Sequence, residues 1–166
     1  LDKVVPMLLE DFYSEKTEDL TRWFISNSLF EIQSKRYIKE YLDIVSSKRF
    51  GINRQMIVLL LGKLKEESAV PVLIGLLDDE DVQLQAICAL SKFEREEFRG
   101  YFNKFQNSPH PGIRKYAKMA INKLDNIASN CSWALEPSKV ISVNIIHNGS
   151  QQEQVECAFW SNKLIS

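Results

Sequence analysis

The chain has 166 residues, 45% of them hydrophobic and 26% charged, with a formal net charge of −1. That length suits one domain, or one domain with an appendage, and the composition is globular rather than disordered or fibrous. A balance so close to neutral excludes a bulk electrostatic pull toward nucleic acid or an anionic membrane, so any basic surface must be local.

The elements read in chain order as follows. Val5-Pro6 opens a helix expected over 2–13, and the same pair returns as Val70-Pro71 sixty-five residues later, with Leu8 and Leu9 falling on Leu73 and Ile74. Proline is tolerated in a first helical turn because its missing N–H would have had no partner there. A second helix, 18–33, is capped by Thr17 or Asp19 and carries the stripe Thr21, Ile25, Ser28, Leu29 and Ile32. A third, 35–47, places Ile38, Tyr41, Leu42 and Val45 at helical spacing. After a polar break ending at Gly51, the fourth helix, 51–65, is apolar nearly all round, as a helix with neighbours on both sides must be. Its stripe, Asn53, Ile57, Leu60, Leu61 and Leu64, lies 32 positions after that of the second helix.

Helices follow over 68–78 and 80–93, joined by Asp78, Asp79, Glu80 and Asp81, which make the turn and cap the next helix. Two more are expected over 96–107 and 110–125. Val82, Ala86, Ala89, Leu90 and Phe93 recur as Ile113, Ala117, Ala120, Ile121 and Leu124, each shifted by 31. Five apolar matches at one offset indicate an internal repeat. The expected fold is therefore all-α, with four helix pairs in one array over 1–125 whose units bury their apolar faces by stacking.

The residues 69–93 (AVPVLIGLLDDEDVQLQAICALSKF) and 110–124 (HPGIRKYAKMAINKL) resemble the HEAT-repeat family, especially its short bacterial type, with weaker copies at 4–32 and 37–64. The resemblance implies an α-α superhelix, a HEAT-like α-solenoid. It also implies an arginine just after the turn of each unit, where Arg22, Arg54 and Arg114 stand and Gln83 replaces the third. Such arrays serve as scaffolds, adaptors and inhibitors and occasionally as enzymes, so the resemblance speaks for fold rather than function.

Beyond Leu124 the register ends. The tail, 126–166, holds turn formers and then two alternating runs, 139–147 and 151–160, around Asn148-Gly149. That is a hairpin signal, because a type I′ turn needs positive φ at both central residues. Ile141, Val143, Ile145, Val155, Cys157 and Phe159 are expected on one face of this small β-hairpin extension. An isolated hairpin is marginal in water; it either caps the last repeat or docks a partner.

No nucleophile, metalloprotease or phosphate-loop motif occurs, and neither His110 nor His147 stands in a metal-ligand cluster. No catalytic residue, metal or cofactor is expected. Three cysteines at unrelated spacings suit a reducing cytoplasm, and Cys88 reads as a buried small hydrophobe. The longest apolar run, Met56 to Leu61, is too short to span a bilayer, and no secretory signal opens the chain. The first residue, Leu1, leaves room for a segment upstream.

The candidate site is the concave side of the array, lined by Arg22, Trp23, Ser26, Arg54, Val58, Gln83, Ile87, Arg114 and Lys118, which recur at the repeat spacing. Its arginines either tie acidic turns of the next unit or line a mixed basic and apolar groove, with Val58 and Ile87 as exposed anchors. The expected function is a non-enzymatic cytoplasmic adaptor, scaffold or inhibitor that binds another protein there. The alternative is nucleic-acid binding related to the glycosylases of alkylated bases, with the arginines, Lys115 and Lys118 on phosphates and Trp23 stacked on a base.

Overall fold

The structure, a computed structural model, describes residues 2–132, and among these all secondary structure is helical. The eight α-helices are α1 (Val5–Tyr13), α2 (Asp19–Ile32), α3 (Ile38–Ser46), α4 (Gln55–Lys63), α5 (Val70–Gly75), α6 (Gln83–Leu90), α7 (Arg99–Phe105) and α8 (Pro111–Ser132). The expected order of helices is reproduced. The hairpin expected at 139–147 and 151–160 lies outside the described residues.

Local backbone repeats with the sequence. Each odd-numbered helix is entered through a 3-10 turn: Asp2–Val4, Lys35–Tyr37, Glu67–Ala69 and Glu96–Phe98. Pro6 and Pro71 sit in first turns, where no N–H is missed. After α2, α4 and α6 the chain turns at Gln33, Lys65 and Glu94, whose φ values of 55°, 50° and 58° are left-handed. A non-glycine residue there costs about 1–2 kcal/mol, so packing rather than local preference fixes the reversal.

Asp125 holds the same position in the last unit, yet α8 continues to Ser132. This corrects the expectation that helical register ends at Leu124. Residues 126–132 contain neither proline nor glycine, so Asn126, Ser129 and Asn130 lower helix propensity without breaking the backbone pattern.

The start of α2 also differs from expectation. Glu18 takes the cap position with no side-chain bond. Thr17 Oγ1 instead donates to the Asp11 carbonyl at 2.6 Å. Asp19 accepts from Arg22 and from Asn53 Nδ2.

Packing follows one rule. The even-numbered helices form a row in which α2 packs on α4, α4 on α6 and α6 on α8, and each odd-numbered helix packs on the even one that follows it. Leu29, Ile57, Leu61, Ala86 and Leu90 of the row are fully buried in one core with Val5, Phe12, Ile44, Leu73 and Phe102. The row is tightest at Gly62, where an added Cβ would lie 2.4 Å from Ala89 Cα and 2.7 Å from its Cβ. Thr21 and Ser28, expected in the buried stripe of α2, are exposed because no described helix precedes α2 in the row.

Candidate binding face

The arginine position does the same work in every unit. Arg22 donates to the Phe12 carbonyl at 3.1 Å and the Ser14 carbonyl at 2.7 Å. Arg54 donates to Val45 at 3.2 Å, Gln83 to Leu77 at 2.6 Å, and Arg114 to Ser108 at 2.6 Å. Each ties free carbonyls at the end of one helix to the start of the next, satisfying acceptors that a helix C-terminus leaves open. A neutral amide at Gln83 serves as well, because the acceptor is a carbonyl.

Arg54 does more. Its side chain is 0% exposed, and its guanidinium grips Asp79 through two bonds, 2.9 and 3.2 Å, and Asp81 at 3.3 Å. The hydrogen bond from Arg54 holds the Asp79 carboxyl below the usual carboxylate range. Asp79 also accepts the Asp81 N–H, so this residue of the acidic run forms its turn and anchors a neighbouring unit instead of capping α6. With the unit shifts of 29 and 31, Phe50 and Ile52 precede Asp79 and Asp81 at these positions, and His110 and Gly112 follow them. Across to the next unit Arg22 therefore finds the Phe50 ring at 5.9 Å, and its only carboxylate partner among the described residues is Asp19 of its own helix at 3.2 Å.

The expected groove is not a surface. Ser26, Arg54, Val58 and Ile87 are all buried, and Arg22, Gln83 and Arg114 are half-buried on their carbonyls; Trp23 and Lys118 are exposed. Val58 and Ile87 thus have buried partners, contrary to their expected role as exposed anchors. The reason is geometric. Ser26 Oγ donates to the Asn53 carbonyl at 2.7 Å, so that position faces the next helix of the row. Val58 and Ile87 repeat it, and Lys118 is exposed because no described helix follows α8. The engaged guanidinium groups of Arg22, Arg54 and Arg114 are also the ones the nucleic-acid reading assigned to phosphates.

The open side of the row lies about one residue further round each helix, roughly 100° away. In α2 it shows Leu20, Phe24 and Asn27; on and before α4, Ile52, Met56 and Leu59; on and before α6, Asp81, Gln85 and Cys88; in α8, Gly112, Tyr116 and Met119. Trp23, Gln55, Leu84 and Lys115 stand on its edge toward the next helix. Gln55 Nε2 reaches the Asp81 carbonyl at 2.7 Å, and a Cβ on Gly112 would meet Leu84 Cδ1 at 3.0 Å, so equivalent positions are in register. Trp23 and Phe24 are 42% and 57% exposed, with their rings edge to face at 5.2 Å. Of the eight large hydrophobic side chains exposed among the described residues, six fall on this face: Leu20, Trp23, Phe24, Ile52, Tyr116 and Met119. Sequence periodicity carried this signal, since Leu20 and Ile52 are 32 apart, as are Phe24 and Met56.

Reactive groups are few on this face. Cys88 is half-buried, and burial pushes its thiol up to about 11, which keeps it neutral and poorly nucleophilic. A hollow of about 660 Å³ beside the α7–α8 turn is lined by Glu80, Gln83, Lys104 and His110 among others, but His110 Nδ1 accepts the Ile113 N–H at 3.3 Å and serves the helix start. Among the described residues, no group of three or more His, Cys, Asp or Glu is placed to hold a metal, and no helix is long and apolar enough to cross a membrane. No protein-family model matches the chain, and no curated protein matches it closely enough to count as a relative.

Proposed function

We propose that the chain is a cytoplasmic, non-enzymatic binding module, a short α-solenoid of the HEAT type that holds another protein on the open face of its even-numbered helices. The carrying observation is the gathering of six exposed apolar side chains, two of them aromatic neighbours, at in-register positions of one face. Exposed apolar surface of that kind has a cost in water that a partner removes, and aromatic anchors dominate such contacts.

The test is co-purification from the native host with the full chain and with Trp23→Glu/Phe24→Glu. The variant should keep its helical circular dichroism and lose the partners that the unaltered chain retains. Equal recovery of the same partners by both chains refutes the proposal.

A further inference from the structure

We infer that the row continues from one copy of the chain into the next, the outer side of α8 docking head to tail on the outer side of α2 of a second copy. This surface is distinct from the open face and stands independently of the function proposed for it.

The joint inside the row supplies the template. Arg54 of one unit holds Asp79 of the next, and Asp79 lies four residues before Gln83 at the arginine position. Moved back by the unit shifts of 29 and 32, Asp79 falls on Phe50 and then on Glu18. The first described unit thus carries a carboxylate where the lock needs its acid, and no described unit precedes it to supply a guanidinium. Glu18 is exposed and makes no side-chain cap bond at the start of α2. The last unit shows the converse. Arg114 places Nη1 on the Ser108 and Pro109 carbonyls, while its Nε and Nη2 have no acceptor among the described residues. A second copy set one unit beyond α8 brings its Glu18 to that arginine.

Charge agrees. In α8, Lys123 pairs with Glu94 and Asp125 with Arg99, leaving Arg114, Lys115 and Lys118 without an ion pair among the described residues. In α2 and its cap, Asp19 pairs with Arg22, leaving Glu18 and Glu31. The unpaired charges are positive at one end of the row and negative at the other, so like ends repel and unlike ends attract. The same alignment sets Lys118 opposite Thr21, as Ser26 meets Asn53, and Asn122 opposite Ser28, as Gly62 meets Ala89. Asn122 is larger than glycine, so this seam is wider than the α4–α6 joint, and it is mostly polar. Each end is therefore stable in water alone, and the joint is weak and reversible.

Two different patches make open chains rather than a closed dimer. Sedimentation velocity on the full chain in low salt should show an average mass that grows with concentration past that of two chains. In about 1 M salt, where screening acts over about 3 Å, it should return to that of one chain. Glu18→Arg and Arg114→Gln should each weaken association about tenfold or more; the glutamine keeps an amide for the Ser108 carbonyl, as Gln83 does for Leu77. Mixed, the two variants should form a one-to-one pair and nothing larger, since one retains its α8 end and the other its α2 end. Should Arg114→Gln lose its helical circular dichroism, Lys118→Glu at the same end takes its place. The inference is overturned if the full chain stays single or stops at two, or if its growth is indifferent to salt. It is equally overturned if either variant grows like the unaltered chain, or if the mixture stays single. Growth that Trp23→Glu/Phe24→Glu abolishes also overturns it, assigning the contact to the open face.

Discussion

Removing the carboxylate of Asp79 should be among the most damaging single changes to the described helices. The five N–H groups of Arg54 all have acceptors: the Gly51 and Val45 carbonyls, two oxygens of Asp79 and one of Asp81. Asp79→Ala leaves two of those donors open and the buried guanidinium with only the half-exposed Asp81 as counterion, a change that approaches the roughly 3–5 kcal/mol of a buried pair broken on one side. Asp81 is 48% exposed against 11% for Asp79, so Asp81→Ala should cost about 0–1 kcal/mol. Arg54→Met/Asp79→Ala removes charge and partner together and should recover much of the loss. Urea unfolding followed by circular dichroism measures all three, and a broadened transition would show the units before and after the lock separating. The pH dependence has a definite sign. Because the folded Asp79 pKa is lowered, its contribution is fully present above the ordinary carboxylate value of about 3.9 and is lost as pH falls through the lowered value. The gap between the unaltered chain and Asp79→Asn should therefore close only below about pH 4. An Asp79→Ala loss under 1 kcal/mol, or an Asp81→Ala loss as large, would refute the reasoning.

Gly62→Ala should destabilise by about 1–3 kcal/mol or more, since its Cβ would meet Ala89 backbone. Gly75→Ala, with nothing within 4 Å of the new Cβ, should stabilise by about 0.5–1 kcal/mol, both changes being read by the same urea unfolding. Lys65→Gly removes a left-handed side chain and should add about 0.5–1 kcal/mol by urea titration. Ile87→Asp puts an unpaired carboxylate in the core and should abolish helical circular dichroism, whereas Lys118→Asp at the same position of the last unit should change stability by less than about 0.5 kcal/mol. Cys88, its thiol pushed up to about 11, should alkylate slowly at pH 8 in the folded chain and fast in urea, as peptide mass analysis would show.

The number, order and approximate bounds of the helices were legible because each unit repeats an apolar stripe and the Val-Pro signature marks two helix starts. Val82, Ala86, Ala89, Leu90 and Phe93 were all expected inside, and all are buried. The face was harder to read. A helix lying on a second layer buries one stripe, but a helix inside a row also buries the sides that meet its neighbours. Val58 and Ile87 look like surplus apolar residues until the row supplies the next helix. The arginine position was legible as a recurring role, but sequence spacing cannot distinguish a guanidinium aimed at a carbonyl from one aimed at solvent.

The polarity of the row separates structural exposure from surface that calls for cover. At one end α2 shows Thr21 and Ser28 where α6 buries Val82 and Ala89; at the other α8 shows Lys118 and Asn122 where α4 buries Val58 and Gly62. Both ends meet water with polar groups at little cost. The open side behaves differently: Phe24 and Met119, at opposite ends of the row, are both exposed there, and no described helix is positioned to cover them. Stacking explains every buried stripe and leaves this one face unexplained. On the proposed function, its occupant comes from outside the row, a second protein seated at the Trp23 end.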